Sequence, residues 1–139
     1  MAILPHKNID LSDLFGGKDG CYLEIRLFTT DDVVVCQKII AEISNATQEI
    51  NEHLKGKKLA SLTPKDKSKL KELQAKELKE IAKFCAFIKE RFINGQGRDE
   101  HGTLCPIVAD DIDNLYIHLM DRVIKAMMSG GETENLDKA

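Results

Sequence analysis

Residues 21–54, CYLEIRLFTTDDVVVCQKIIAEISNATQEINEHL, change their hydrophobic period partway along, and that change decides the fold. From Cys21 to Phe28 the period is two. Cys21, Leu23, Ile25 and Leu27 fall on one side, and Tyr22, Glu24 and Arg26 on the other, as in a strand with one covered face. Thr29-Thr30-Asp31-Asp32 then opens a helix, because a threonine hydroxyl caps free amides and aspartates favour the positive helix end. Beyond it Cys36, Ile40, Ile43, Thr47, Ile50 and Leu54 recur every three or four residues, a single helical stripe that stops before Gly56.

A short basic linker, residues 57–62, leads to Thr63-Pro64-Lys65-Asp66, where Thr63 is a good N-cap, Pro64 suits the first turn and Asp66 completes a capping box. This second helix is expected to reach about Phe92. Its apolar face is Leu70, Leu73, Ile81, Phe84, Ile88 and Phe92, widened by Leu78 and Cys85. Two long helices with a short connection pack antiparallel. Asn94-Gly95-Gln96-Gly97 is expected to end the helix through a left-handed glycine, and Asp99-Glu100-His101-Gly102 to form a tight turn. Residues 103–107 read as a short extended piece pairing with 21–28. Asp110 is placed to cap a third helix with the stripe Val108, Ile112, Leu115, Leu119, Val123 and Met127, ended by Ser129-Gly130-Gly131. Residues 1–20 read as an irregular lead-in broken by Gly16, Gly17 and Gly20, with a short turn at Leu11–Phe15. The polar tail 132–139 is expected to be disordered. The fold class is therefore mainly α (α+β): two long antiparallel helices and a third helix with a small N-terminal β element, in a single domain over residues 1–139.

At 139 residues one core is sustainable without staples. Aromatics make up only 5% of the chain and Trp is absent, so that core is built from Ile, Leu, Val and Met. Cys21, Cys36, Cys85 and Cys105 form no CxxC pair, and no signal peptide opens the chain, which together point to free thiols in a reducing, cytoplasmic setting. No apolar run approaches the roughly 18 residues that span a bilayer, and no membrane partner is expected. The net charge of −3 gives no global reason to bind nucleic acid, but it is unevenly spread. Residues 55–83 hold ten lysines against Asp66, Glu72, Glu77 and Glu80, a local balance of +6 on an otherwise acidic chain.

Few residue groups suggest chemistry. Asp110, Asp111 and Asp113 offer the carboxylate oxygens a hard divalent cation needs, which would suit a metal-dependent enzyme. The same residues serve equally to cap a helix and offset its dipole. His101 and Cys105 are four apart but lack the second pair a structural zinc site requires. Gly95-Gln96-Gly97 follows a helix, whereas a phosphate cradle precedes one, so nucleotide binding is rejected. Lys65, Lys69, Lys76, Lys79 and Lys83 approximate a ridge that could track phosphates. No aromatic interleaves to stack on bases, and helix-spaced acids such as Glu72 with Lys76 offer internal pairing instead. A nucleic-acid-binding or regulatory module thus stands as an alternative. No catalytic or cofactor-binding residue is assigned, and no cofactor is expected.

Two segments resemble a known family. Phe92-Ile93-Asn94-Gly95 followed by Arg98-Asp99-Glu100-His101-Gly102-Thr103-Leu104-Cys105-Pro106-Ile107, and then the helix opening Ala109-Asp110-Asp111-Ile112-Asp113-Asn114-Leu115, is similar to the tail assembly chaperones of long-tailed bacteriophages. The strand Leu23-Glu24-Ile25-Arg26-Leu27 entering a first helix resembles their start. The match covers about half the chain, which departs from the pattern in the length and lysine content of its first two helices. The resemblance implies a non-enzymatic cytoplasmic role, with tail-tube or tape-measure proteins as partners and homo-oligomers as a further form. Lys65, Lys69, Lys76 and Lys79 of the second helix, with Met120 and Met127 of the third, are the expected partner-binding residues, since methionine adapts to varied surfaces.

Overall fold

The computed structural model describes residues 6–125. In chain order these form β1 (His6–Asp10), a 3₁₀ turn (Ser12–Phe15), β2 (Tyr22–Arg26), α1 (Thr30–Leu54), a 3₁₀ turn (Leu59–Ser61), α2 (Pro64–Arg91), β3 (Phe92–Arg98), β4 (Leu104–Pro106), a 3₁₀ turn (Ala109–Asp111) and α3 (Ile112–Val123). The strands make one antiparallel sheet in the order β1-β2-β3-β4. An α+β fold dominated by helices is what the period change at Thr29 dictates.

Both long helices begin as their sequences demand. Thr29 Oγ1 accepts from the Asp32 N–H at 3.1 Å and the Asp32 carboxylate accepts from the Thr29 N–H at 3.0 Å. Thr63 and Asp66 repeat the box on α2. The helices run antiparallel, with Asp32 beside Arg91 at one end and His53 beside Asp66 at the other. Leu23 and Ile25 of β2, Ile9 of β1 and Leu11 pack beneath Cys36, Ile43, Ile81, Phe84, Ile88, Ile112, Leu119 and Val123. The opposite sheet face carries Asn8, Glu24, Tyr22 and Gln96, and His6 Nδ1 lies 2.8 Å from Glu24 Oε2 there.

Several details differ from the sequence reading. Within the expected irregular lead-in, residues 6–10 form β1, because Ile9 (4% exposed) and Leu11 (fully buried) complete the inner face opposite Leu23. Asn94-Gly95-Gln96-Gly97 is no helix cap. The chain is extended from Phe92 onward, and neither glycine has positive φ. Both lie in β3, at positions with no room for a side chain. A Cβ on Gly95 would come 3.0 Å from Ile107 Cβ, and one on Gly97 would come 2.8 Å from the Phe15 ring. Ile93 is the extra residue of a bulge, since Glu24 faces Asn94 while Ile25 faces Phe92. Residues 104–106 pair with β3 rather than with β2, which β1 and β3 already flank. The small β element therefore draws on both halves of the chain. Among the described residues no side chain caps α3 itself, Asp110 included; the Asp111 carboxylate instead accepts from the Val108 N–H at 2.8 Å across the preceding 3₁₀ turn. Leu78 does not widen the core face of α2 and is 61% exposed. Met127, the expected end of α3 and the tail 132–139 lie outside the described residues.

Candidate docking groove between α1 and α3

The third helix buries Ile112, Leu119 and Val123 against the core. It packs on α2 rather than along α1. Arg122 ties it to the sheet end, with Nη2 2.6 Å from Asp13 Oδ2 and Nη1 donating to the Asp10 carbonyl at 3.3 Å. Between α1 and α3 this leaves an open groove of about 500 Å³. Ile40, Ile43, Ile117, Met120 and Ile124 supply its apolar lining, and Ser44, Thr47, Gln48, Asn51 and Asp121 the polar part. Asp121 is bridged to Lys125 at 3.1 Å, so the rim carries little net charge. Ile117 is 63% exposed, the open end of an apolar stripe with no partner helix among the described residues.

Of the expected partner-binding residues, Met120 lines this groove. Lys65, Lys69, Lys76 and Lys79 do not, so lysines and methionine form no common site. The lysine ridge is also partly neutralised from within the hairpin. Lys76 Nζ lies 3.0 Å from Glu49 across the helix pair instead of joining Glu72, Lys83 is 3.0 Å from Glu80, and Lys69 lies 4.0 Å from Glu72. Glu49 correspondingly holds the Lys76 ammonium above its ordinary pKa.

The acidic cluster is partly engaged by the chain itself. Besides the Asp111–Val108 bond, Asp113 and Asp110 sit 2.8 and 3.9 Å from Lys89 Nζ, and these carboxylates raise the Lys89 pKa, Asp113 most of all. Among the described residues no group of three His, Cys, Asp or Glu side chains is arranged to hold a metal ion. His101 is exposed in its turn, beside Glu100.

Sequence reasoning missed the charged centre at the base of the hairpin. Asp32, 8% exposed, receives Arg91 Nη2 at 2.6 Å and Arg26 Nη2 at 3.3 Å. Arg91 also donates to the Phe87 carbonyl at 2.8 Å and lies 3.6 Å over the Phe87 ring, which meets Phe28 edge-on at 5.3 Å. The Arg91 hydrogen bond holds the Asp32 carboxyl far below the usual range. Nearby Cys36 is pushed up to about 11 by burial, and burial with the Asp113 carboxylate raises Cys85. Both thiols therefore stay protonated near neutrality and act as packing groups rather than nucleophiles. The only trace of this centre in the sequence is a charge at each helix end that lies at the sheet.

The class defined is an antiparallel helical hairpin and a third helix covering one face of a four-stranded antiparallel sheet. No helix among the described residues is long and apolar enough to cross a membrane. No protein-family model, curated protein or solved structure matches this chain.

Proposed function

We propose that the chain is a non-enzymatic interaction protein of phage or prophage origin. In the cytoplasm it holds a helix of another protein during virion assembly, in the manner of the tail assembly chaperones its sequence resembles. The α1–α3 groove carries this reading. Two helices present isoleucine and methionine side chains to solvent across a gap that a third, amphipathic helix would fill, the helix-in-groove mode of recognition. The neutral rim of amides and hydroxyls favours an occupant with uncharged polar flanks. A tape-measure or tail-tube segment is the partner the resemblance implies, and no turnover is expected.

The test is affinity purification of the tagged chain from its native host after nuclease treatment, in parallel with an Ile117→Asp variant. Tail-tube or tape-measure protein is expected with the parent and not with the variant, whose melting should match the parent's because Ile117 is exposed. Recovery of nucleic acid or its binding proteins alone, lost on nuclease treatment, would refute the reading.

A further inference from the structure

The hairpin tip and the far end of the molecule are complementary. At the tip, Lys55, Lys58, Lys65, Lys67 and Lys71 are exposed and have no carboxylate partner among the described residues, whereas Lys57 is held by Asp66 at 3.1 Å. In their midst, on the 3₁₀ turn between the helices, Leu59 is 70% exposed. At the sheet end a cavity of about 190 Å³ is lined by Phe15, Pro106, Ile107 and Leu115, with Asp111 and Asn114 as polar lining. Arg98 also lines it, but its guanidinium is committed to the Gly102 and Asp19 carbonyls at 2.8 and 2.9 Å. Beside Asp111 stand Asp110, with its side chain 95% exposed, and Asp113, 53% exposed, against the single ammonium of Lys89.

We propose that copies of this chain associate head to tail. Leu59 of one copy enters the Phe15–Leu115 cavity of the next, and the tip lysines face Asp110, Asp111 and Asp113. An apolar anchor seated in a pocket within a polar, charge-matched rim is the anatomy of a protein contact. The tip has no aromatic or arginine with which to read nucleic acid. A hairpin arm of 25 residues is about 37 Å long, so the tip cannot fold back into its own cavity. The contact joins two different surfaces and therefore generates open chains or rings rather than a closed dimer.

Sedimentation velocity on the nuclease-treated full chain tests this. The expected mass rises with concentration beyond a dimer at low salt and falls back at high salt. Leu59→Asp and Asn114→Arg each weaken association about tenfold or more, while melting as the parent does. Mixed together, the two variants form one heterodimer and nothing larger, because each retains one intact surface. A monomer at every concentration, variants that associate like the parent, a mixture that recovers nothing, or association lost with nuclease would each overturn the proposal. The Ile117→Asp groove variant should associate like the parent, so failure of the groove reading and failure of this one are separable.

Discussion

Removing the Asp32 carboxylate is the most demanding test of the fold. Asp32→Ala deletes three interactions at once: the cap to the Thr29 N–H, the 2.6 Å contact with Arg91 and the 3.3 Å contact with Arg26. Thr29 remains as N-cap, so only the reciprocal bond of the capping box is lost, a hydrogen bond worth about 1 kcal/mol. Removing one partner of a buried ion pair costs about 3–5 kcal/mol, because the remaining charge stays desolvated. Here Arg91 keeps its bond to the Phe87 carbonyl and its seat on the Phe87 ring, which places the total near the lower bound, about 3 kcal/mol. That corresponds to a fall in Tm of about 10 °C for a chain this size. Urea unfolding followed by circular dichroism should show a lower midpoint at unchanged m. Asp32→Asn retains an acceptor for the cap and should lose less. The pH dependence has a definite sign. The Asp32 pKa is depressed in the fold, so its contribution is fully present above the unfolded carboxyl pKa, about 3.9, and fades as pH falls toward the folded value. Below about pH 4 the parent should lose stability more steeply than Asp32→Asn. If Asp32→Ala unfolds within about 0.5 kcal/mol of the parent, the centre is not what holds the hairpin to the sheet.

Two further outcomes follow from packing. Gly97→Ala should cost about 1–3 kcal/mol, because its Cβ meets the Phe15 ring at 2.8 Å, and combining it with Phe15→Leu should recover part of the loss in the same denaturation assay. In thiol labelling of the folded protein at mildly alkaline pH, Cys105 should react first. Cys36 and Cys85, buried and with raised pKa, should react only on unfolding, and rapid labelling of Cys36 would refute its placement.

The helices were legible because their signals are local. A capping box spans four residues, and an apolar stripe repeats within one turn, so Thr29, Asp32, Thr63 and Asp66 announce both long helices. The sheet was legible only in β2, whose alternation is complete within itself. Gly95 and Gly97 carry the same local signal in a strand as at a helix end. What separates the two cases is Ile107 and Phe15, which approach from distant parts of the chain. β1 was hidden for a related reason, since its one fully inward residue, Ile9, gains meaning only opposite Leu23. Met120 stands beside the stripe of α3 and widens it, but its place in a groove depends on how α3 leans away from α1. The lysine ridge was read as a ridge because intrahelical spacing is visible in sequence, whereas the Glu49–Lys76 contact that neutralises part of it crosses between helices.

The two walls of the groove are held with unequal strength, and that bears on what it can accept. The α1 wall is fixed at its base by Asp32, whose ion pairs with Arg91 and Arg26 join α1, α2 and β2 in a site shielded from water. Along its length α1 is also braced against α2 by the Thr47–Glu77 hydrogen bond and the Glu49–Lys76 pair. Among the described residues α3 runs for 12 residues, and its polar tethers are the Arg122–Asp13 pair, whose Asp13 side chain is 68% exposed, and the Lys89–Asp113 pair, whose Asp113 side chain is 53% exposed. An exposed pair of this kind is screened by salt and worth well under the buried one, about 0–1 kcal/mol. What holds α3 in place is therefore chiefly the burial of Ile112, Leu119 and Val123, which is non-directional and tolerates small shifts better than a hydrogen-bonded centre does. A partner helix entering the groove would displace the α3 side first, carrying Ile117, Met120 and Ile124 with it while the hairpin stays where the Asp32 centre sets it. A rigid wall opposite a yielding one, with methionine on the yielding side, would let the proposed docking accept helices of differing girth.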